Sequence, residues 1–371
     1  MQGVPNDELG TLFFMRPSRM VASVFSPIPR LGHGQGVTTR VKCVFWYFRK
    51  GSLSYPSFLL RSSDGDPMRP KETGNYRWGV FCVVAAQVLW GFFPVYFHFL
   101  RKVDAVELVA HRAIWSFFWL IVLALVWRVL KARFDSPTLE ETRSVFKSPR
   151  LLGYLAIAAV LMAINWLTFV WAVNNDHKID ASLGYYICPQ VIVVLGVVFL
   201  GERLSSIQWL AFALAAVGVL WIAQSGVSVP WVGLTVALAF SFYALIKKIV
   251  PVSSFVGLTF EMGLLLLPAI GFLLYRGWPL GDTVIGEPWW FNLMLVGIGA
   301  ATIAPLAFYA TAVKHIPLST VGLLQFIGPT IQFLIGTFVF HEPFDTLRLI
   351  GFAFVWVGVA LFMFTVGSRG R

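Results

Sequence analysis

The sequence predicts an all-α, polytopic membrane protein with ten transmembrane helices arranged as two inverted five-helix repeats. Composition, the length of the apolar runs and an internal repeat lead to this fold class. Hydrophobic residues make up 57% of the chain and charged residues only 13%, with a mean hydropathy of +0.74. Soluble domains carry about 25% charged residues. The apolar runs are about 20 residues long, the length at which an α-helix crosses the hydrocarbon core of a bilayer.

The internal repeat begins with an apolar segment that has a central proline and a terminal glutamate. This pattern occurs at 181–202 and again at 321–342. Residues of the same type recur 140 positions apart, in the pairs Pro189 and Pro329, Glu202 and Glu342, and Gly218 and Gly358. A fixed offset over many residues indicates an internal duplication. Because each unit has an odd number of spans, the second unit enters the membrane from the opposite side, which is typical of transporters.

The spans follow one another with short connections, and the link between the two units at 224–229 is short and uncharged. They are predicted at about 78–98, 105–127, 151–173, 181–200, 207–224, 230–247, 255–275, 289–312, 318–340 and 347–366. Sixteen Lys and Arg residues flank these spans on one side of the membrane and five on the other. The positive-inside rule therefore predicts that both termini are cytoplasmic.

Residues 1–70 differ from the rest, with scattered Arg, Ser, Pro and Gly and only short apolar patches. We expect a disordered N-terminal extension there, or an over-extended start, since the segment at 68–73 is typical of a short cytoplasmic leader. The predicted domains are thus the extension 1–70, a first five-helix unit at 71–224 and a second at 225–371.

Several functional classes are excluded or disfavoured. The three cysteines have no spacing typical of a zinc site or a disulfide framework. The chain has no nucleotide-binding loop and no hydrolase or zinc-protease motif. We therefore expect no enzyme, no cofactor and no metal. The net charge of +11 is spread over loops and the N-terminal tail, so membrane topology explains it better than contact with nucleic acid.

The first candidates for a site are polar groups at depth in the membrane. His111 and Arg112 lie about 10 Å into the second span, where a charge is costly and usually faces a cavity or a partner. They are predicted to contact the substrate, and the alternative is an Arg112 that reaches the interface or pairs with Glu107. Glu261 lies at a comparable depth in the seventh span, as a counter-charge or proton carrier, or as a hydrated carboxylate near the cytoplasmic face.

Two helices with central prolines supply the next candidates. Pro189 and Pro329 each lack the backbone N–H that would bind the carbonyl group one turn earlier. Inside a bilayer, a carbonyl group without this donor has to be hydrogen-bonded by neighbouring groups or by water. Tyr185 precedes Pro189 by four residues, and Gln325, Pro329 and Gln332 share one helix face. We expect that face to line a central cavity, with a kink that serves only packing as the alternative.

The remaining candidates are an amide, two aromatic residues and two glutamates. Asn165 lies near the midplane of the third span, and Trp90 and Tyr243 occupy related places in the two units, as cavity walls or as packing residues. Glu202 and Glu342 each precede a span, where a carboxylate stabilises a helix N-terminus. We therefore predict that both glutamates are structural caps rather than catalytic groups.

Three stretches carry a resemblance to a known family. They are 111–118, 165–175 and 181–203, with His111-Arg112 in the first, Asn165-Trp166 in the second and Pro189 in the third. Together they resemble the RarD proteins of the EamA branch of the drug/metabolite transporter superfamily, over about residues 75–366. The resemblance implies a multi-pass carrier of the cell inner membrane with an EamA-type fold and a central cavity.

The expected function is a secondary transporter, or permease, that exports a small metabolite, amino acid or drug by alternating access. The expected partners are a small-molecule substrate and the lipid bilayer, with proton coupling and a homodimer as further expectations and no nucleic acid. A non-transporting membrane sensor or assembly subunit is the main alternative. A membrane-embedded enzyme is a weaker one, because only His111 with Glu107 could supply its chemistry.

Overall fold

The structure, a computed structural model, describes residues 76–130, 137–175, 177–224, 230–276, 288–341 and 346–369. The chain divides into two compact units, Met1–Lys71 and Glu72–Arg371, and every described residue belongs to the second. The predictions for residues 1–70 therefore lie outside the described residues.

The described ranges form thirteen α-helices and contain no strand. In chain order they are α1 (Tyr76–Gly91), α2 (Phe93–Phe99), α3 (Ala105–Leu130), α4 (Pro137–Lys147), α5 (Pro149–Asn174), α6 (Lys178–Leu200), α7 (Ser206–Ala223), α8 (Pro230–Ile249), α9 (Ser254–Tyr275), α10 (Trp289–His315), α11 (Leu318–Leu324), α12 (Ile327–Phe338) and α13 (Thr346–Arg369).

Within those ranges, nine helical segments are long and apolar enough to cross a membrane, and α13 adds a shorter apolar stretch, Leu349–Phe364. The predicted class, an all-helical polytopic membrane protein, is confirmed. Many large apolar side chains lie on the outside of the bundle, among them Leu267, Trp289 and Phe364. Such a surface suits hydrocarbon, where backbone polar groups must be satisfied within each helix.

Two of the predicted spans are broken, and one predicted break is absent. The first span is interrupted at Phe92, just before Pro94 in the first turn of α2. The ninth is interrupted at Gln325 and Phe326, one turn before Pro329, which has no N–H to donate to Gln325. Pro189, by contrast, lies inside the continuous helix α6.

The short helix α4 is an element that the sequence analysis did not predict. It joins the second and third spans and is mostly polar, but its Val145 is buried with Leu155 and Val250. The Glu141 carboxylate accepts a hydrogen bond from the backbone N–H of Ser253. This helix therefore packs on the connection between α8 and α9.

Helix packing follows a regular pattern in the described part of the chain. Equivalent helices of the two predicted units contact each other, in the pairs α3 with α9, α6 with α11, and α7 with α13. Helix α1 packs on α10 as α5 packs on α8. A two-fold relation between the units predicts this pattern. The division at 224–225 itself stays a prediction.

The runs of small residues on α7 and α13 pack on each other. A Cβ atom on Gly218 would lie 2.5 Å from the carbonyl oxygen of Gly351, and one on Gly358 would lie 2.7 Å from that of Ala211. Such distances exclude any side chain at these glycines and allow the two backbones to approach closely. The structure therefore places these small residues in a seam between α7 and α13 inside the bundle.

Candidate functional site

A cavity of about 540 Å³ lies among helices of both predicted units. Pockets that hold one small organic molecule are typically about 300–1,000 Å³. The lining side chains are mainly aromatic and amide groups. They are Gln87, Trp90, Phe93, Pro94, Phe97, Arg112, Met162, Asn165, Trp166, Phe169, Ser182, Tyr185, Tyr186, Phe240, Leu306, Gln325, Gly328, Pro329 and Gln332.

The cavity occupies the middle of the bundle and the half toward one end. That end, where α2 is followed by α3 and α5 by α6, is called the α2–α3 end. The lining residues come from the last turns of α1, from α2, from the early turns of α3 and α6, from the second half of α5, and from the middle of the bundle on α8, α10 and α12 and at Gln325. The opposite end, where α8 is followed by α9 and α10 by α11, is called the α8–α9 end.

Arg112 contributes the only charged side chain to the described lining. Its Nε atom donates a hydrogen bond to Oγ1 of Thr302, at 3.2 Å. The guanidinium carbon lies 4.3 Å from the centre of the Trp166 ring, with the rings of Phe93 and Phe97 within 6 Å. An aromatic face attracts a cation through its quadrupole. The surroundings thus hold the guanidinium in place without cancelling its charge.

An aromatic cluster forms the wall nearest the middle of the bundle. The rings of Trp90, Phe240 and Tyr309 lie 5.2–5.7 Å apart between centres. Offset or edge-on rings at this spacing attract each other beyond the burial of their area. Trp90 and Phe240 come from α1 and α8, the first helices of the two predicted units, and both line the cavity.

The amide side chains of the lining are anchored to the protein, with one exception. Gln332 donates to the carbonyl oxygen of Trp90 at 3.0 Å, and Asn165 donates to that of Val236 at 2.9 Å. Gln325 accepts from the Tyr309 hydroxyl at 3.2 Å. The Nε2 donor of Gln87, a residue only 2% exposed, has no hydrogen-bond partner among the described residues.

Seven of the eleven residues predicted for a substrate cavity line this one. They are Trp90, Arg112, Asn165, Tyr185, Gln325, Pro329 and Gln332. Their role in substrate binding stays a prediction. The other four, His111, Pro189, Tyr243 and Glu261, are not part of the lining.

The imidazole of His111 is buried away from the lining and lies 3.7 Å from the carboxylate of Glu107, one turn earlier. Successive helical residues point about 100° apart, so His111 and Arg112 cannot face the same space. The structure therefore separates this predicted pair. The predicted alternative partner of Arg112, Glu107, faces His111 instead.

Pro189 is buried in the contact between α6 and α11. Its carbonyl oxygen would lie 2.7 Å from a Cβ atom on Gly322. The absence of a side chain at Gly322 lets the two helices meet there, beside the cavity but not in it. Whether the proline ring itself contributes to this packing stays a prediction.

Glu261 and Tyr243 belong to a buried ionic cluster toward the α8–α9 end. Glu261 is 0% exposed, and its Oε1 lies 2.8 Å from Nζ of Lys247, whose side chain is 4% exposed. Tyr243 donates to the other carboxylate oxygen at 3.2 Å. Gly257 makes room for the ammonium, since a Cβ there would lie 2.8 Å from Nζ. The hydrated-carboxylate alternative for Glu261 is therefore wrong.

Further bonds join the connections at the α8–α9 end. Lys248 donates to the carbonyl oxygen of Ile316 at 2.8 Å, and Lys314 donates to that of Val250 at 3.4 Å. Each lysine thus binds the chain that follows the other's helix. Together with the ionic cluster, these bonds connect α8, α9 and α10 at this end of the bundle.

Glu202 also binds at the α8–α9 end. Helix α6 ends at Gly201, which adopts the left-handed conformation with φ of 67° that glycine tolerates best. The turn brings the Glu202 carboxylate to the first N–H groups of α11, at 2.6 Å from Leu318 and 2.7 Å from Ser319. The sequence analysis placed this glutamate at the helix that follows it, α7. There, Ser205 and Gln208 form a capping box instead. Glu342 lies outside the described residues.

Sequence reasoning missed several residues near the cavity. Gln87 was detectable as an amide inside an apolar span. Lys247 was counted among the charges that flank the spans. Its ion-pair partner Glu261 lies on another helix, so the sequence does not show that the two side chains meet. Thr302 and Trp166 carry no signal in a chain rich in such residues, because only the fold brings them to Arg112.

The sequence profile of the EamA-like transporter family matches residues 77–224 and again residues 228–364. Each match lies within one of the predicted five-helix units. The chain belongs to the EamA-like transporter family. The predicted resemblance is thereby confirmed, and the multi-pass membrane fold agrees with it.

Relatives of this EamA-like protein include RarD proteins and uncharacterized transporters. It is 40% identical to an uncharacterized transporter of Pseudomonas aeruginosa, over 79% of this chain and 95% of the relative. It is 38% identical to protein RarD of Escherichia coli, over 77% and 94%. One solved crystal structure of a protein aligns with a TM-score of 0.57 at 20% identity, over 76% of this chain and 96% of that one. That likeness concerns the fold alone.

Proposed function

We propose that this protein is a secondary transporter that moves a small organic molecule through the central cavity by alternating access. The observation that carries the proposal is the asymmetry of the bundle. The cavity lies between the middle and the α2–α3 end, whereas the α8–α9 end holds the ionic cluster of Lys247 and Glu261. A carrier caught in one of its two states has one such open half and one such closed half.

The packing of equivalent helices supports the same mechanism. Equivalent helices of the two predicted units contact each other, in the pairs α3 with α9, α6 with α11, and α7 with α13. If the units exchange conformations, the second state closes the α2–α3 end and opens the α8–α9 end. The bonds of Lys248, Lys314 and Glu202 then break during each cycle.

The proposed location is the cell inner membrane with both termini in the cytoplasm, as the distribution of Lys and Arg predicts. In this orientation the α2–α3 end faces away from the cytoplasm. We further propose export as the direction and Glu261 as the proton carrier, because its protonation would weaken its bond to Lys247 and so loosen the closed end.

The experiment uses the full-length protein in liposomes, loaded with a panel of labelled amino acids, small organic acids and chloramphenicol. Ser182 is exposed and lines the cavity, so a charged thiol reagent should modify a Ser182→Cys variant and block flux. Arg101 is exposed at the same end, outside the lining. An Arg101→Cys variant should be modified without loss of flux, and both variants carry Cys43→Ser.

Loss of flux on modification of the Ser182→Cys variant alone supports transport through the cavity. Equal flux before and after its modification contradicts the proposal. A pH gradient in the same liposomes tests the coupling, since gradient-driven flux should disappear in the Glu261→Gln, Lys247→Met double variant, which lacks the carboxylate without leaving the Lys247 charge unpaired. Flux that ignores the gradient in the unaltered protein excludes Glu261 as the carrier.

A further inference from the structure

The charge balance of the cavity indicates what it binds. Among the described lining residues, Arg112 is the one charged group, and no carboxylate of the described chain lies within ion-pair distance of it. Its contacts are a threonine hydroxyl and aromatic rings. An arginine inside a membrane span is normally paired with an acid or faces a cavity, because removing its charge from water is costly. Among the described residues, the cavity therefore carries one positive charge without a counter-charge.

A second, independent observation concerns Gln87, on the same lining. The residue is 2% exposed, and its Nε2 group has no acceptor in the described part of the chain. The side-chain oxygen of Gln87 lies against α12, where a Cβ atom on Gly328 would be only 2.6 Å away from it. A buried donor without an acceptor is destabilising. An acceptor supplied by a bound molecule would remove that cost.

The rest of the lining favours a flat apolar body. Phe93, Phe97 and Trp166 surround the guanidinium, and Trp90 and Phe240 form the wall toward the middle of the bundle. Aromatic side chains bind ring systems through stacked or edge-on contacts. No acidic side chain is present in the described lining to bind an ammonium group. A monoanion thus fits better than a zwitterion or a cation.

We propose that the substrate is a small aromatic monocarboxylate. Its carboxylate binds Arg112, and its ring lies between the aromatic side chains of the lining. This inference rests on the proposed function, because it takes the cavity to be the transport site. Arg112 is then the residue that selects for negative charge, and Gln87 offers a further donor.

The test uses four probes with the same indole ring and different charges: indole-3-acetate, indole-3-acetamide, tryptophan and tryptamine. Binding to the full-length protein in nanodiscs is measured at neutral pH by titration calorimetry. Indole-3-acetate should bind about 10- to 100-fold more tightly than the neutral acetamide, as expected for a charge-assisted hydrogen bond. The zwitterion and the cation should bind more weakly than indole-3-acetate.

Two variants assign the preference to Arg112. The Arg112→Gln variant should bind the acetate and the acetamide equally, whereas Arg112→Lys should keep part of the preference because it keeps the charge. Equal binding of all four probes by the unaltered protein, tighter binding of the amide or the amine, or binding of none of them overturns the proposal. The comparison of the four probes on the unaltered protein does not depend on whether a variant folds.

The outcome for transport is read separately. Thiol-sensitive flux of other solutes, without carboxylate preference, would preserve the transporter and refute this substrate class. Carboxylate binding that depends on Arg112, without flux blocked at position 182, would preserve the anion site and refute transport through it.

Discussion

Removal of the negative charge of Glu261 should destabilise the fold strongly. The Glu261→Gln variant keeps the shape of the side chain but leaves the ammonium of Lys247 without its counter-charge. Both side chains are almost fully buried, and their charged atoms are 2.8 Å apart. Removing one partner of a buried ion pair costs about 3–5 kcal/mol, because the other charge is left without compensation. The free energy of unfolding should fall by about that amount.

A second substitution tests whether the loss comes from the orphaned charge. Combining Glu261→Gln with Lys247→Met removes both charges and keeps an acceptor for the hydroxyl of Tyr243. Replacing a buried ion pair by uncharged groups of similar volume is often neutral. The double variant should therefore recover at least half of the stability that the single variant loses.

Stability is measured by SDS-induced unfolding in mixed micelles, followed by tryptophan fluorescence. Glu140→Gln is the matched control, because Glu140 is exposed on α4 and surface substitutions usually change stability by less than about 0.5 kcal/mol. A loss below about 1 kcal/mol in Glu261→Gln would refute the buried pair. A double variant as unstable as the single one would refute the coupling of the two charges.

Three further substitutions test other contacts. Glu202→Ala removes the acceptor of two N–H groups at the start of α11, and chemical unfolding should show a loss of about 1–2 kcal/mol; an unchanged midpoint would contradict the cap. Gly218→Leu should separate α7 from α13, since its Cβ would lie 2.5 Å from a backbone oxygen. Gly153→Leu is the control, because a side chain there would point into open space. The temperature of thermal unfolding should fall in the first variant only. Tyr309→Phe removes the hydroxyl bonded to Gln325 and should cost about 1 kcal/mol in the same assay, so full stability would exclude that bond.

The fold class was predictable because membrane-spanning helices follow from local composition. About 20 apolar residues mark a span wherever they occur, and the helices between α1 and α13 lie close to the predicted segments. Helix α4 was missed because it is short and polar. The behaviour of Pro189 and Pro329 could not be separated by sequence, since each has the same local effect on its helix. The packing around them decides whether the helix breaks.

The candidate site was predictable where a polar residue lies inside an apolar span. Arg112, Asn165 and Gln325 follow this rule, and all three line the cavity. The rule does not say which way a side chain points. It therefore could not separate His111 from Arg112, or show that Glu261 faces Lys247 on a neighbouring helix.

The bond between Glu202 and α11 has a consequence for biosynthesis. The carboxylate and the N–H group of Leu318 that donates to it are 116 residues apart, and ribosomes add about 5–20 residues per second. Glu202 thus emerges about 6–23 s before the helix that it caps, and in that interval its charge has to remain at the aqueous surface. The first half of the chain can insert into the bilayer early, but the contacts of Glu202 at the end of α6 form only after the ninth span has been synthesised.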